Sequence, residues 1–352
     1  MHYRTARRLL SCVVVPIVFI ANAGNTAPPD ISGTYDVATL TPLERPDAFG
    51  DNLFLSTEAA EAIAANIARL RANDAKTADP NRAAPEKGGN VGGYNLFWID
   101  LGQSANIVDG KFRTSIITSP QNGQLPRMTE YGAKRLQGFL DDWRIHWRTP
   151  DPSVGKNDGT AWWLREAGGI GPYDHMEQRP LAERCIIGSR STAGPPMLPN
   201  LYNNYKRIIQ TDSHVMILTE MNHDARIVPM NGTHRPDSIK TWLGDSIGRW
   251  EGDTLVVDTT NFTKLPPLSG ADENLHVVER FTRMADGGLL YRFEVNNPGI
   301  WSTPWTGEYA WPARTDKVYE YACHEGNYAL GNIMRGARLL EAEGQTTAAS
   351  AE

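Results

Sequence analysis

The chain has 352 residues, 40% of them hydrophobic and 22% charged, which excludes a low-complexity or fibrous chain and supplies enough apolar surface for a sizeable core. Its formal net charge is −6; with no basic-aromatic signature either, a nucleic-acid partner is excluded.

The first residues combine Arg4, Arg7 and Arg8 with an apolar run from Leu9 to Ala21 and small residues at Ala21 and Ala23. This is the pattern of a secretory signal peptide spanning residues 1–23, cut after Ala23. The run is short and interrupted by Pro16, so it predicts no integral membrane segment after cleavage. Cleavage leaves 32 basic against 41 acidic residues and removes Cys12. The expected compartment is the periplasm or the exterior, where the two remaining cysteines, Cys185 and Cys323, are expected to pair.

In chain order, Ile31–Tyr35 reads as a first short strand, and Ser56–Asp74, Ala-rich with acids early and arginines late, as a helix. Residues 75–93 read as a loop, Tyr94–Leu101 and Lys111–Thr118 as strands, and Ser119–Gly123 as a turn. Leu136, Phe139, Leu140, Trp143 and Trp147 recur at helical spacing, which predicts a helix over Thr129–Trp147. Residues 149–204 are loop-rich and hold Cys185.

From Tyr205 onward the pattern becomes a run of strands: Tyr205–Gln210, His214–Met221, Ala225–Met230, Thr254–Asn261, His276–Arg283, Leu289–Asn296, Thr306–Trp311 and Val318–Cys323. Turn residues separate them, and a final helix is expected over Ala329–Glu343. The expected fold is mainly β with flanking helices: an antiparallel β-barrel, calycin- or lipocalin-like, because closure removes strand edges. In domain terms, residues 24–204 would pack on a barrel formed by 205–352.

Three concentrations of chemistry stand out. "TEMNHDARIVP" places His223 and Asp224 in a hairpin turn, with a solvated Asp224–Arg226 pair as the plain alternative. In "ENLHVVERFTR", alternation puts Val277, Glu279 and Phe281 on one face and His276, Val278 and Arg280 on the other, so a charge enters whichever face is inside and needs a partner there. In "YACHEGNY", Cys323 is committed to the disulfide, leaving His324 and Glu325 at the expected barrel rim. The second histidine of a zinc-peptidase helix is replaced by Tyr328.

The candidate catalytic set is therefore His223, Asp224, His276, Glu279, Arg280, His324 and Glu325. Trp242, Trp250, Trp305 and Tyr321 are candidate stacking platforms for a small-molecule or saccharide ligand. No cofactor is expected; the alternative is a zinc ion held by His223, His276 and His324. Phosphate-cradling and nucleophile-elbow motifs are missing.

The segments "AERCI", "YNNYKRIIQT", "EMNHDARIVP", "WLGDSIGRWEGDTLVVDTTNF", "ENLHVVERFTR" and "YEYACHEGNY" resemble those of a large family of exported, functionally uncharacterised acidobacterial and proteobacterial proteins, over roughly residues 182–340. The resemblance implies export and a shared architecture but no catalytic assignment. The function expected from the residues is histidine-based acid–base chemistry, as a lyase, isomerase or hydrolase, on a carbohydrate or other small polar-aromatic compound. The competing expectation is a non-catalytic, lipocalin-like binding protein.

Overall fold

The computed structural model describes residues 27–74, 81, 83, 99–137 and 176–349. The expected signal peptide, the loop over 75–93 with most of the strand over Tyr94–Leu101, and the second half of the helix over Thr129–Trp147 fall outside them.

In chain order the strands are β1 Gly33–Asp36, β2 Phe54–Leu55, β3 Ile107–Val108, β4 Lys111–Arg113, β5 Ile117–Ser119, β6 Tyr205–Gln210, β7 His214–Thr219, β8 Ala225–Pro229, β9 Asp245–Glu251, β10 Thr254–Thr260, β11 His276–Arg283, β12 Leu289–Asn296, β13 Trp305–Trp311 and β14 Ala313–Arg314. The helices are α1 Thr57–Asp74, α2 over 130–137 and α3 Ala329–Ala349. Side chains cap each helix start: Ala59 N–H donates to Ser56 Oγ, Gly132 N–H to Thr129 Oγ1 and Ala329 N–H to Asn327 Oδ1, which satisfies amides that have no intrahelical acceptor.

The strands form a five-stranded sheet, β14-β1-β6-β7-β8, a six-stranded sheet, β5-β13-β12-β11-β10-β9, and a small β2-β4-β3 sheet. Every ladder is antiparallel. The fold is thus mainly β, as the alternation predicts, but the ladders do not close into a barrel. The outer edge of β13 is partly taken by β5, with a register shift at Thr306/Gly307. Past Pro312 the chain leaves the six-stranded sheet as β14 and pairs with β1 of the other sheet. At the opposite seam, β8 and β9 form no ladder among the described residues, and their backbones are joined by a parallel bridge between Met230 and Gly248. There a Cβ on residue 248 would lie 2.7 Å from Met230 Sδ, so glycine permits the close approach.

The inner faces of the two large sheets share one core, with Tyr35, Ile208, Val215, Ile217 and Val228 from the first and Val257, Val277, Phe281, Tyr291 and Trp311 from the second. The Tyr291 and Trp311 rings lie 4.5 Å apart. A lipocalin would leave this space for ligand; here aromatic side chains fill it.

Two further expectations change. Val318–Cys323 is not a strand: after the two-residue β14 the chain runs without a ladder toward Cys323. A strand the sequence reading omitted, β9, forms the edge of the six-stranded sheet and pairs along its whole length with β10. The 185–323 disulfide is formed, with Cα atoms 5.8 Å apart. No described helix is long and apolar enough to cross a membrane.

Candidate functional site at the seam between the sheets

Where β8 and β9 splay apart, away from the Met230–Gly248 bridge, they leave a cleft of about 740 Å³. One wall carries His223, Asp224 and Arg226; the other carries Arg235, Trp242 and Asp245. Of the expected site residues, the cleft brings together His223, Asp224 and Trp242.

The β7–β8 connection is strained. Asn222 and His223 are consecutive non-glycine residues with φ of 62° and 44°, a region disfavoured for side-chain-bearing residues. Surrounding bonds hold it there: Asn222 Nδ2 donates to Cys185 O at 3.2 Å, and Gly188 N–H donates to Asp224 Oδ2 at 2.6 Å. The disulfide loop thus braces the turn. Asp224 is buried, which pushes its carboxyl above the usual range despite the Gly188 hydrogen bond. His223 is exposed.

Behind this wall lies a charge the sequence reading missed. Lys206 on β6 is fully buried, and its Nζ has no hydrogen-bond partner among the described residues. Burial pulls its pKa down to about 7, against the opposing attraction of Asp224 and Glu220. Glu220, also buried, is raised by desolvation. The signal was present in "YKRIIQ", where Lys206 shares a strand face with Ile208.

Arg226 points from the cleft wall toward the core. Its Nη1 donates to Glu279 Oε1 at 3.0 Å, a second and shorter contact joins Nη2 to Glu279 Oε2, and Nη2 also reaches Ser246 Oγ at 3.2 Å. Glu279 further accepts the Tyr291 hydroxyl at 2.8 Å, and the Tyr291 pKa rises well above its ordinary value through burial and this neighbouring carboxylate. Glu279 is therefore the inward charge that alternation required. Its partner comes from the opposite sheet and leaves neither of its oxygens free for substrate.

The outer face of the six-stranded sheet holds a carboxylate–imidazole chain. His234 places Nδ1 3.0 Å from Asp245 Oδ2 and Nε2 3.1 Å from Asp258 Oδ1; His276 Nε2 lies 3.0 Å from the same Asp258 oxygen. Arg235 completes it, with Nε 2.6 Å and its N–H 2.9 Å from Asp245. The hydrogen bond from His276 leads in holding Asp258 below the usual carboxylate range, and in return Asp258 raises His276. Burial of Asp245 is outweighed by hydrogen bonds from Arg235 and His234, so it is lowered too. Asp245 lines the cleft, so the chain runs from the cleft to the surface. His234, Asp245 and Asp258 were not singled out in the sequence because strand alternation does not show which loop returns over a sheet face.

The remaining candidates lie elsewhere. Arg280 is on the outer face, 3.8 Å from Glu251. His324 and Glu325 are exposed in the turn after Cys323, with no barrel rim to carry them. Trp305 is buried and Trp250 packs against the core, while Tyr321 is half-buried. No group of three or more His, Cys, Asp or Glu among the described residues is arranged to hold a metal ion; His223, His276 and His324 sit respectively in the seam turn, on the outer sheet face and in the exposed segment past β14. No protein-family model and no curated protein matches the chain.

Proposed function

We propose that the protein is an exported enzyme that performs acid–base chemistry in the seam cleft on a carbohydrate or other small polar-aromatic compound, as a lyase, isomerase or hydrolase. Membership of the exported family resembled in sequence belongs to the same proposal. The observation that carries it is that Asp245, the inner end of the Asp245–His234–Asp258–His276 chain, lines the same cleft as His223 and Asp224. Proton transfer in both directions needs a donor and an acceptor flanking the substrate. Here His223 stands on one wall and Asp245, the inner end of the carboxylate–imidazole chain, on the other. Trp242, 40% exposed, offers a ring face for stacking, and Arg235 a cation for a developing anion. The strain at Asn222–His223 fits a residue held for use in place of comfort.

A binding protein is the second reading, favoured by one feature: no described side chain hydrogen-bonds the His223 ring to orient it. The test screens 4-nitrophenyl glycosides and uronides for nitrophenolate release, with Trp242 fluorescence reporting binding. The enzyme reading requires His223→Ala and His234→Phe to lower kcat by about 10²-fold or more with KM little changed. Ligand-dependent fluorescence without turnover of any bound compound, in the wild type as in the variants, establishes the binding protein instead.

A further inference from the structure

The connection from β8 to β9 supplies part of the cleft wall, including Thr233, Arg235 and Trp242. Main-chain bonds to the six-stranded sheet and its flank tie down its two ends: Asn231 N–H donates to Gly248 O at 2.7 Å, and Thr241 N–H to Asn261 O at 3.0 Å. Between them, residues 231–240 are all exposed except His234, which is half-buried. With so little apolar surface to bury, the middle of the connection depends on polar bonds. These are the His234 ring on Asp245 and Asp258, the Arg235 amide and guanidinium on Asp245, and Asn261 Nδ2 donating to Arg235 O at 2.9 Å.

The His234 ring makes this hold sensitive to pH. Both of its nitrogens face carboxylate oxygens, at 3.0 Å from Asp245 Oδ2 and 3.1 Å from Asp258 Oδ1. Two ionised acceptors require two N–H donors, which the imidazolium has; a neutral imidazole turns a lone pair on one of the carboxylates. Asp258 lies below the usual carboxylate range chiefly through the bond from His276, and Asp245 does so despite its burial, through the bonds from Arg235 and His234. Both therefore stay ionised where histidines titrate. Neither depends on His234 for a partner: Arg235 donates twice to Asp245, and His276 Nε2 on β11 lies 3.0 Å from Asp258 Oδ1. Glu294 on β12 adds to the attraction on the His276 ring. Among the described residues no other charged side chain forms an ion pair with any member of this group.

We propose that His234 is a pH-operated latch on the seam cleft: as imidazolium it clamps residues 232–240 onto β9 and β10, and on losing its proton it releases one of the two carboxylates and loosens this stretch of the cleft wall. The sign follows from the acceptors. Two carboxylates favour the charged ring, so the clamp is in place on the acid side of the histidine titration and is lost as pH rises through it. The latch needs no turnover in the cleft and is independent of the chemistry proposed there.

The test follows the full-length mature protein, without ligand, from about pH 5 to about pH 9. The ¹⁵N shifts of the His234 ring report its charge. Amide hydrogen exchange, corrected for the intrinsic base-catalysed rate, reports the hold on the connection. The expected result is a doubly protonated ring at the acid end and, as the proton leaves, a fall of roughly tenfold or more in protection of the Arg235 amide, in keeping with the loss of one hydrogen bond to a charged group. The Asn231 and Thr241 amides, bonded to main-chain carbonyls, should keep their protection. In His234→Gln, which has no titrating ring, Arg235 protection should be low and flat across the range; in Asp258→Asn the fall should move to lower pH. Arg235 protection that does not change with pH in the wild type overturns the proposal. So does an equal fall in His234→Gln, which would assign the response to another group, or a His234 ring that is neutral throughout.

Discussion

Replacing Arg226 by methionine tests the packing of the whole interior. In the native chain its side chain and that of Glu279 are 3% and 0% exposed and meet through both guanidinium nitrogens. Methionine fills similar volume but leaves the Glu279 carboxylate fully buried with only the Tyr291 hydroxyl as a donor. Breaking a buried pair in this way costs about 3–5 kcal/mol, a large share of the roughly 5–15 kcal/mol available to a folded domain. Ser246 and Thr259 hydrogen-bond each other at 2.8 Å and so lose little. Adding Glu279→Leu removes the stranded charge; the double variant is expected to recover all but about 1–2 kcal/mol, the remainder being the Tyr291 hydroxyl left without its acceptor. Urea unfolding followed by near-ultraviolet circular dichroism, run as a double-mutant cycle, should give a coupling of about 2 kcal/mol or more. Additive losses, or an Arg226→Met variant within about 1 kcal/mol of wild type, would refute the claim that the pair is a buried structural tie between the sheets.

Lys206 has a pKa of about 7 in the fold against 10.5 ordinarily, so between these values the unfolded chain holds the extra proton and stability rises with pH, by up to about 1.4 kcal/mol per unit. Lys206→Met should remove that rise in urea melts taken across the window, and parallel curves for the two proteins would contradict it. Asp258 raises His276, whose contribution is fully present below about 6.5 and lost as pH rises through the folded value; Asp258→Asn should move the His276 titration downward in ¹H–¹⁵N spectra, and an unmoved titration would break the link. The Cys185–Cys323 bridge spans 138 positions, worth about 5 kcal/mol on the chain-entropy model; reduction should lower the urea midpoint accordingly, and free thiols in the unreduced mature chain would deny the bridge. His223→Gly relieves a left-handed side-chain-bearing residue worth about 1 kcal/mol, so it should hold or raise stability while removing the imidazole; a loss of more than about 1 kcal/mol would make His223 structural.

What the sequence disclosed was what depends on local periodicity. The alternation of His276–Arg283 grouped Val277, Glu279 and Phe281 on one face and His276 and Arg280 on the other, and the burial pattern of β11 shows that the first face is the inner one. The disulfide was legible because only two cysteines follow the expected signal peptide. The identity of Glu279's partner was not, since Arg226 lies 53 residues away on the other sheet and no periodicity links them. For the same reason nothing in the sequence singled out His234, whose ring joins Asp245 on β9 to Asp258 on β10. The edge strand β9 was not read from the sequence; it carries Gly248, a residue depleted in strands, which here serves the close approach to Met230. Barrel closure failed as an expectation because it was inferred from the cost of open edges, and here β5 and β14 cover the β13 and β1 edges while β8 and β9 are left joined by a single bridge.

The position of the cleft follows from the direction of the strands at its seam. Met230 and Gly248 meet in parallel, and strands that run parallel cannot be joined by a tight hairpin; the chain must return over a dozen or more residues. That return is the segment over 231–244, and it carries His234, Arg235 and Trp242. Had β8 and β9 been antiparallel neighbours, a short turn would have sufficed, the ladder could have zipped shut, and Arg226 and Ser246 would have been sealed behind it. Instead the seam is bridged at one end and open at the other. The connection that parallel direction demands supplies the arginine and indole on one side of the opening, with His234 bonded to Asp245 behind that wall, opposite the strained Asn222–His223 turn on the other.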